Sequence, residues 1–159
     1  MANWNNYLTI ISTILGVISA GTLLFSKSIR FRCEILDWRY VTSEIIQVYF
    51  HIENNSLKPI SVNGVSLIRE ATNYPCELAE KSVHTTLQGR TWVTSDFPAY
   101  FVEGQTRDLL VEFLHVQDIV LIPGKTIDVA IYTNRRSLHR SLTIPEQGRR
   151  FRTLLQSGK

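Results

Sequence analysis

Few residues of this sequence have the types and spacing that enzyme chemistry requires. Gly124-Lys125-Thr126 matches the end of a phosphate-binding loop, but that motif needs a glycine five residues before Gly124, where this chain has Ile119. Pro123-Gly124 is therefore interpreted as a turn between strands. No serine lies in a Gly-x-Ser-x-Gly nucleophile turn. We expect that the protein is not an enzyme.

Residues that could bind a metal are scattered along the chain. No two of the four histidines have the short spacing typical of a metal site. The two cysteines, Cys33 and Cys76, also lack such spacing, so no cofactor is expected. In a cytoplasmic domain both thiols would stay reduced, whereas in an external domain they could form one disulfide. The sequence leaves these two alternatives open.

Charges are distributed unevenly along the chain. The formal net charge is +3, but acidic residues outnumber basic ones between residues 41 and 130, and basic residues dominate residues 131–159. Five arginines of that last stretch are candidates for contact with lipid or phosphate: Arg135, Arg136, Arg149, Arg150 and Arg152. Anionic lipid is therefore a candidate partner. Nucleic acid is disfavoured, because the acidic middle of the chain would repel phosphate.

The most prominent element that could position these residues is an apolar run at residues 7–25. It contains no charged residue, Pro, Asn or Gln. A helix of about 20 such residues can cross a hydrocarbon core of about 30 Å. A signal peptide is disfavoured because residues 1–6 carry no Lys or Arg and because Ile18 would lie at the −3 position of the cleavage site. A buried core helix would usually be shorter or have a polar face, so we expect a single transmembrane helix.

The residues that flank this run predict its orientation. Lys27, Arg30 and Arg32 follow it directly, whereas its N-terminal side has no basic residue. Because cationic side chains resist translocation, we expect the N-terminus outside and the C-terminal domain in the cytoplasm.

Small residues form a regular series within the run. Ser12, Gly16 and Ala20 are four residues apart, which would place them on one stripe of a helix. Such a stripe allows another helix to approach closely, so we expect self-association or contact with another membrane protein there. Small residues are also common in spans that make no such contact, and this alternative stays open.

The rest of the chain has room for one globular domain. We divide the sequence into a short N-terminal tail (1–6), the transmembrane helix (7–25), a juxtamembrane linker (26–29), a β-sandwich domain (30–144) and a basic C-terminal tail (145–159). The tail includes a predicted basic amphipathic helix at residues 147–155.

Alternating apolar and polar residues predict strands in the domain. The clearest alternation runs through residues 46–53, and further strands are predicted at 106–114, 126–133 and 137–142. In the first strand the alternation changes phase near Leu36-Asp37, which predicts a bulge. Asn63-Gly64 lies between two alternating runs and predicts a type I′ hairpin turn.

Residues 69–100 show less regularity and are predicted to be mostly loop. Long irregular segments of compact domains often carry function, so Tyr74, Glu77 and Glu80 are candidates for contact with a partner. The short strands, separated by turn residues and without a strong internal helix, predict an immunoglobulin-like antiparallel β-sandwich. The predicted fold class is thus all-β, preceded by one N-terminal transmembrane helix.

Several segments of the chain carry a resemblance to known proteins. They are the uncharged N-terminal run, the basic residues that follow it, and the sequences IENNSLKPISVNGVSLI, FPAYFVEGQTRDLLVEF and IDVAIYTNRRSLHRSL. In this combination the chain resembles small single-span membrane proteins of bacteria and their phages, which carry a β-sandwich domain and mostly have no assigned role. The resemblance implies a sandwich held at a membrane, and it implies no catalytic residue.

Two functions of different class fit these observations. The first is a membrane-anchored, non-enzymatic adaptor or scaffold module that binds another protein at the inner face of a membrane. The second is a ligand- or nucleic-acid-sensing domain that signals through its transmembrane helix. The second would bind in a manner that depends steeply on salt and on Arg149, Arg150 and Arg152.

Overall fold

The computed structural model describes residues 12–13, 30–76, 83–85 and 91–148. Of the predicted transmembrane helix, Ser12 and Thr13 are described and are helical, whereas Gly16 and Ala20 lie outside the described residues. Within the described ranges, no helix is long and apolar enough to cross a membrane.

The described part of the domain is all-β. Its strands are β1 (Phe31–Thr42), β2 (Ile45–Asn54), β3 (Ile60–Arg69), β4 (Thr72–Pro75), β5 (Val83–Thr85), β6 (Thr91–Val93), β7 (Ala99–Phe101), β8 (Thr106–Leu114), β9 (Thr126–Thr133) and β10 (Ser137–Thr143).

Two antiparallel sheets form a β-sandwich, as predicted. Sheet A has the strand order β1-β2-β8, and sheet B has the order β10-β9-β3-β4. β7 also belongs to sheet B, where it pairs with the first residues of β3 on the same edge as β4. β5 and β6 pair with each other as a separate two-stranded ribbon.

The core lies between the two sheets and follows the predicted alternation. The inward side chains of β2, which are Ile46, Val48, Phe50 and Ile52, are all completely buried. The ring of Phe50 meets that of Phe113 on β8 edge to face at 6.3 Å between centroids. Complete burial of one such side chain stabilises the fold by about 1.5–3 kcal/mol, so this row is a main source of stability.

The bulge predicted near Leu36-Asp37 is confirmed. The register between β1 and β2 shifts between Ile35 and Asp37. The carboxylate of Asp37 is fully buried and accepts hydrogen bonds from the backbone N–H groups of Trp38 and Gly148, at 2.8 and 2.7 Å. The indole N–H of Trp38 in turn donates to the carbonyl of Pro145 at 2.9 Å. The bulge therefore ties residues 145–148 to the first strand.

The prediction of a hairpin turn at Asn63-Gly64 is wrong. β3 runs through both residues, neither of which has a positive φ, and β9 pairs along it with a register shift between Val62 and Gly64. The two halves of β3 have different partners on the other edge, β7 before the shift and β4 after it. Folding the halves against each other would forgo these backbone hydrogen bonds, so the Asn-Gly pair forms a bulge instead.

The two-residue turn in this region lies at Glu70-Ala71, immediately after β3. Arg69 and Thr72 pair across it, and both turn residues have positive φ, 48° and 68°. Positive φ at both central residues is what a type I′ turn requires. Sequence did not reveal this turn, because neither Glu nor Ala is a residue that favours such a conformation.

Part of segment 69–100, predicted to be mostly loop, forms strands. β4 and β7 are only four and three residues long, and both pair with β3. Pro75 in β4 and Pro98 just before β7 both disfavour a strand prediction, and runs this short show no periodicity. These strands arise from their pairing with a buried central strand.

Candidate interaction surfaces

The antiparallel topology gathers the connections between strands at two opposite ends of the sandwich. We define the proximal end as Arg30 with the loops 55–59, 102–105 and 134–136. We define the distal end as the connections 43–44, 70–71, 115–125 and 144–148. The proximal end is the one at which the chain from residues 1–29 joins the domain.

Among the described residues, the loops of the two ends carry opposite charge. The acidic residue of the proximal end is Glu103, whereas its basic residues are Arg30, Lys58, Arg135 and Arg136. The basic residue of the distal end, apart from His115, is Lys125, whereas its acidic residues are Glu44, Glu70, Asp118 and Glu146. The sequence itself shows basic residues near the chain termini and an acidic middle. The separation of basic and acidic residues between the two ends of the sandwich follows from the strand register.

A buried amide organises the proximal end. Asn54, the last residue of β2, is completely buried. Its Nδ2 donates to the carbonyls of Lys58, Phe101 and Val102 at 3.1–3.3 Å. Its Oδ1 accepts the backbone N–H of Ser56 at 3.0 Å. These bonds hold loops 55–59 and 102–105 side by side.

Arg30 is fixed to the same loops. Its backbone N–H donates to Oγ of Ser56 at 2.9 Å, and its carbonyl accepts the backbone N–H of Asn55 at 2.8 Å. The hydroxyl of Ser56 also donates to that carbonyl, at 3.1 Å. The point at which the preceding residues leave the domain therefore has a defined position beside Leu57.

Large apolar side chains are exposed at this end. Leu57, Tyr100 and Val102 are 58%, 68% and 60% exposed. Arginines lie around them: Arg107 donates to the carbonyl of Tyr100 at 3.3 Å, and Arg135 donates to the carbonyl of Pro59 at 3.3 Å. The proximal end thus combines exposed apolar side chains with fixed cations.

The distal end contains an open cleft of about 370 Å³ with a mixed lining. Its apolar lining consists of Ile68, Ile119, Val120, Ile122, Ile127 and Ile144, and its polar lining consists of Arg69, Glu70, Lys125, Thr126 and Asp128. Val120 and Ile122 are 64% and 41% exposed. A cleft of this size and lining can accept an apolar side chain or a short segment of a partner.

The loop that carries Val120 has a fixed conformation. The hydroxyl of Tyr40 donates to the carbonyl of Ile119 at 3.2 Å and accepts the backbone N–H of Leu121 at 3.0 Å. The N–H of Val116 donates to the carbonyl of Glu44 at 3.2 Å. The cleft is therefore largely preformed, which lowers the entropic cost of binding.

Tyr74, a predicted partner contact, lines a second groove of about 430 Å³ beside β4. Leu114 and His115 form its opposite side. The ring of Tyr74 is partly buried and packs on the core, so Tyr74 stabilises the fold and also exposes part of its side chain to the groove. The other predicted contacts, Glu77 and Glu80, lie outside the described residues.

The structure describes two of the five arginines that were predicted to contact lipid or phosphate. Arg135 and Arg136 are exposed in the loop between β9 and β10 at the proximal end. Arg149, Arg150 and Arg152 lie outside the described residues, as does most of the predicted helix at 147–155.

Sheet A has a row of polar side chains that sequence reasoning missed. Gln47 is completely buried although it lies on the face opposite the core row of β2. Its Nε2 donates to Glu112 at 2.6 Å, and its Oε1 accepts from Arg39 at 2.6 and 2.9 Å. Burial lowers the pKa of Arg39, and the neighbouring Tyr49, Glu112 and Asp37 oppose this shift. Register alone places Arg39, Gln47 and Glu112 opposite one another.

The two cysteines are buried thiols that form no disulfide, and they lie at opposite ends of sheet A. Cys33 is opposite Ile52 on β2, whereas Cys76 bridges to Phe113, which is opposite Ile46. Six residues of a strand span about 20 Å, far more than the 7 Å that a disulfide tolerates between Cα atoms. The open alternative of a Cys33–Cys76 disulfide is therefore excluded in this fold.

His51 and Asp108 are directly opposite on sheet A, with 2.6 Å between Nδ1 and Oδ1, and both side chains are about one-third exposed. No group of three His, Cys, Asp or Glu side chains suited to a metal ion exists within the described part of the chain.

Comparison with known proteins gives similarity to solved structures. No protein-family model and no curated protein matches this sequence. Among solved structures, the chain is similar to the apo PCuAC domain from PmoF1, with 11% sequence identity and a TM-score of 0.47. That similarity covers 76% of this chain and 98% of the other.

Proposed function

We propose that this protein is a membrane-anchored, non-enzymatic interaction module that presents its distal end to a partner protein at the inner face of a membrane. One observation carries the proposal: the end of the sandwich opposite Arg30 bears a preformed cleft in which the apolar side chains of Val120 and Ile122 are exposed. Exposed apolar surface of this kind is typical of protein-binding sites.

The membrane part of the proposal extends the sequence-based expectations. It includes a transmembrane helix at residues 7–25, a cytoplasmic domain and an immunoglobulin-like arrangement of the two sheets. It is supported by the uncharged run itself and by Lys27, Arg30 and Arg32 directly after it, since positive charge next to a span is retained on the cytoplasmic side.

The chemistry of the distal end indicates the kind of partner. An apolar side chain of the partner would fill the cleft beside Val120 and Ile122. Charged side chains of both signs line the cleft, namely Arg69, Glu70, Lys125 and Asp128, so complementary charges of the partner would be favoured next to that side chain. Tyr74, which lines the second groove, is a second contact for the same partner.

Site-specific photo-crosslinking in cells tests this function. A photoreactive residue at Ile122 should give a covalent adduct with one partner, and the same residue at Leu57 should not, although both positions are exposed. Val120→Asp should abolish the adduct, because it places a charge where the apolar side chain of the partner would bind. An adduct formed equally well from both positions, or one unaffected by Val120→Asp, would contradict the proposed site.

A further inference from the structure

We propose that the proximal end docks on an anionic lipid surface and thereby fixes the orientation of the sandwich. Leu57, Tyr100 and Val102 enter the interfacial region, and Lys58, Arg107 and Arg135 contact lipid headgroups. The inference deepens the proposed function and rests on it, since docking of this kind requires the domain to be held at a membrane.

The apolar side chains support an interfacial contact. Leu57, Tyr100 and Val102 are each more than half exposed, and all three belong to the loops and strand end that Asn54 holds together. Aliphatic side chains at an interface bury their surface among acyl chains, and a tyrosine ring is suited to the headgroup level. A cluster of three on one end is more than the scattered apolar residues of an ordinary surface.

Basic residues on neighbouring loops and on β8 lie around these side chains. Lys58 is adjacent to Leu57 in sequence, Arg107 donates to the carbonyl of Tyr100, and Arg135 donates to the carbonyl of Pro59. Basic residues close to an anionic surface are attracted to it within about a Debye length. Glu103 is the opposing charge in the loops of this end, and the described basic residues outnumber it.

The path of the chain brings this end to the bilayer. Arg30 is hydrogen-bonded to Asn55 and Ser56, so the preceding residues must leave the domain beside Leu57. Residues 26–29 separate Arg30 from the apolar run and can span at most about 14 Å when fully extended. An anchored run at residues 7–25 would therefore keep the proximal end within about 14 Å of the membrane surface.

Lipid suits this surface better than nucleic acid. Phosphate recognition along a nucleic acid needs a continuous groove or face of cations. Here the cations lie around exposed aliphatic side chains, with Glu103 in the same loop as Val102. Aliphatic side chains gain most by leaving water for acyl chains.

Site-specific fluorescence on the full chain tests the docking. An environment-sensitive dye is attached at Leu57→Cys or, as a matched distal control, at Val120→Cys, while the native Cys33 and Cys76 are buried. Each protein is reconstituted in vesicles of phosphatidylcholine alone or with phosphatidylglycerol, with brominated acyl chains as quenchers. We expect a blue shift and strong quenching at residue 57 in the anionic vesicles, loss of most of this signal at high salt, and little quenching at residue 120.

Charge variants separate docking from mere proximity. Lys58→Glu combined with Arg135→Glu should lose most of the quenching at residue 57. Arg69→Glu combined with Lys125→Glu changes the charge equally, but at or beside the distal end, and should leave the signal unchanged. Equal quenching in neutral and anionic vesicles, equal quenching at residues 57 and 120, or preferential binding of a DNA duplex that abolishes the signal would overturn the proposal.

The outcome is distinguishable from failure of the proposed function. Carbonate extraction reports anchoring and crosslinking from Ile122 reports the partner, whereas quenching at residue 57 reports docking. An anchored chain that crosslinks its partner but shows no quenching at residue 57 would refute docking alone.

Discussion

Asn54 shows how one side chain can set the shape of a surface. Its amide joins two loops that would otherwise be independent, and it does so at full burial. Asn54-Asn55-Ser56 is also a formal glycosylation sequon, but Nδ2 of Asn54, the atom that would carry the glycan, is bonded to three carbonyls. In this fold the residue is structural.

Asn54→Ala should lower the free energy of unfolding by about 3 kcal/mol, because it removes the buried amide's bonds to the carbonyls of Lys58, Phe101 and Val102 and to the N–H of Ser56. Asn55→Ala is the matched control, since Asn55 is exposed and bonds to Arg30 through its backbone. Its effect should stay within about 0.5 kcal/mol. Urea unfolding of both variants measures the difference, and equal destabilisation would contradict the role assigned to Asn54.

Cys33 should make stability depend on pH in the alkaline range. Burial, followed by the charge of Glu34, raises the pKa of Cys33 from an ordinary value of 9.0 to about 12, and Arg140 opposes this. The unfolded chain therefore loses the thiol proton before the folded chain does. The stabilising contribution is complete below pH 9 and is lost as pH rises from 9 towards 12.

The variant Cys33→Ala isolates this effect from the titration of tyrosines and lysines. Between pH 8 and pH 10, the stability of the wild type should fall by about 1 kcal/mol relative to the variant. Urea unfolding at the two pH values measures it. A stability difference that does not change with pH would show that the thiol is not held protonated by the fold.

Which residues face the core could be predicted from sequence, whereas the buried polar contacts could not. The alternation along β2 identifies Ile46, Val48, Phe50 and Ile52 correctly. It also assigns Gln47 to the outer face, where a glutamine is expected to be solvated. The burial of Gln47 depends on partners from β1 and β8. Which residues become its partners is determined by the strand register, which the local alternation of residues does not predict.

At the scale of elements, the turn at Glu70-Ala71 offers a direct test. Both residues have positive φ, which costs a residue with a Cβ about 1 kcal/mol. Glu70→Asn with Ala71→Gly should therefore raise the free energy of unfolding by about 1 kcal/mol. The control is Ser43→Asn with Glu44→Gly, in a turn without positive φ, which should stabilise nothing. Urea unfolding that showed equal gains for both pairs would contradict the turn assignment.

The strands differ in how far sequence predicts them. β2, β8 and β9 are long enough to show alternation and were predicted with nearly correct bounds. β4 and β7 are short and exist because β3 offers them an edge. The same edge explains the error at Asn63-Gly64, since a local hairpin signal was outweighed by pairing of β3 with three other strands.

At the scale of the whole molecule, the separation of the cysteines makes a prediction about oxidation. Cys33 and Cys76 lie near opposite ends of sheet A, so no intramolecular disulfide can form without unfolding. Protein exported to an oxidising compartment should still show two free thiols per chain. Alkylation in denaturant followed by mass measurement counts the thiols. A chain that is two hydrogens lighter and carries no alkyl group would have formed the disulfide, which would contradict the register. Cysteine oxidation thus cannot report the compartment of this domain.

The charge balance across the apolar run predicts the compartment of the domain instead. Lys27, Arg30 and Arg32 follow the run directly, and Arg39 lies close behind, within the roughly 15–20 residues whose charge determines orientation. Translocating the domain would carry all of these cations across the bilayer, so we expect a reporter fused after Lys159 to be active in the cytoplasm.

Replacing Asn3, Asn5 and Asn6 by lysine, together with Lys27→Glu and Arg32→Glu, reverses the balance beside the run and should move the reporter outside in a substantial fraction of molecules. The lysines alone are the control and should give a smaller shift. A reporter that is external in the native chain would refute the inner-face assignment. The basic proximal end would then face the outer leaflet, and the distal cleft would be open to external partners.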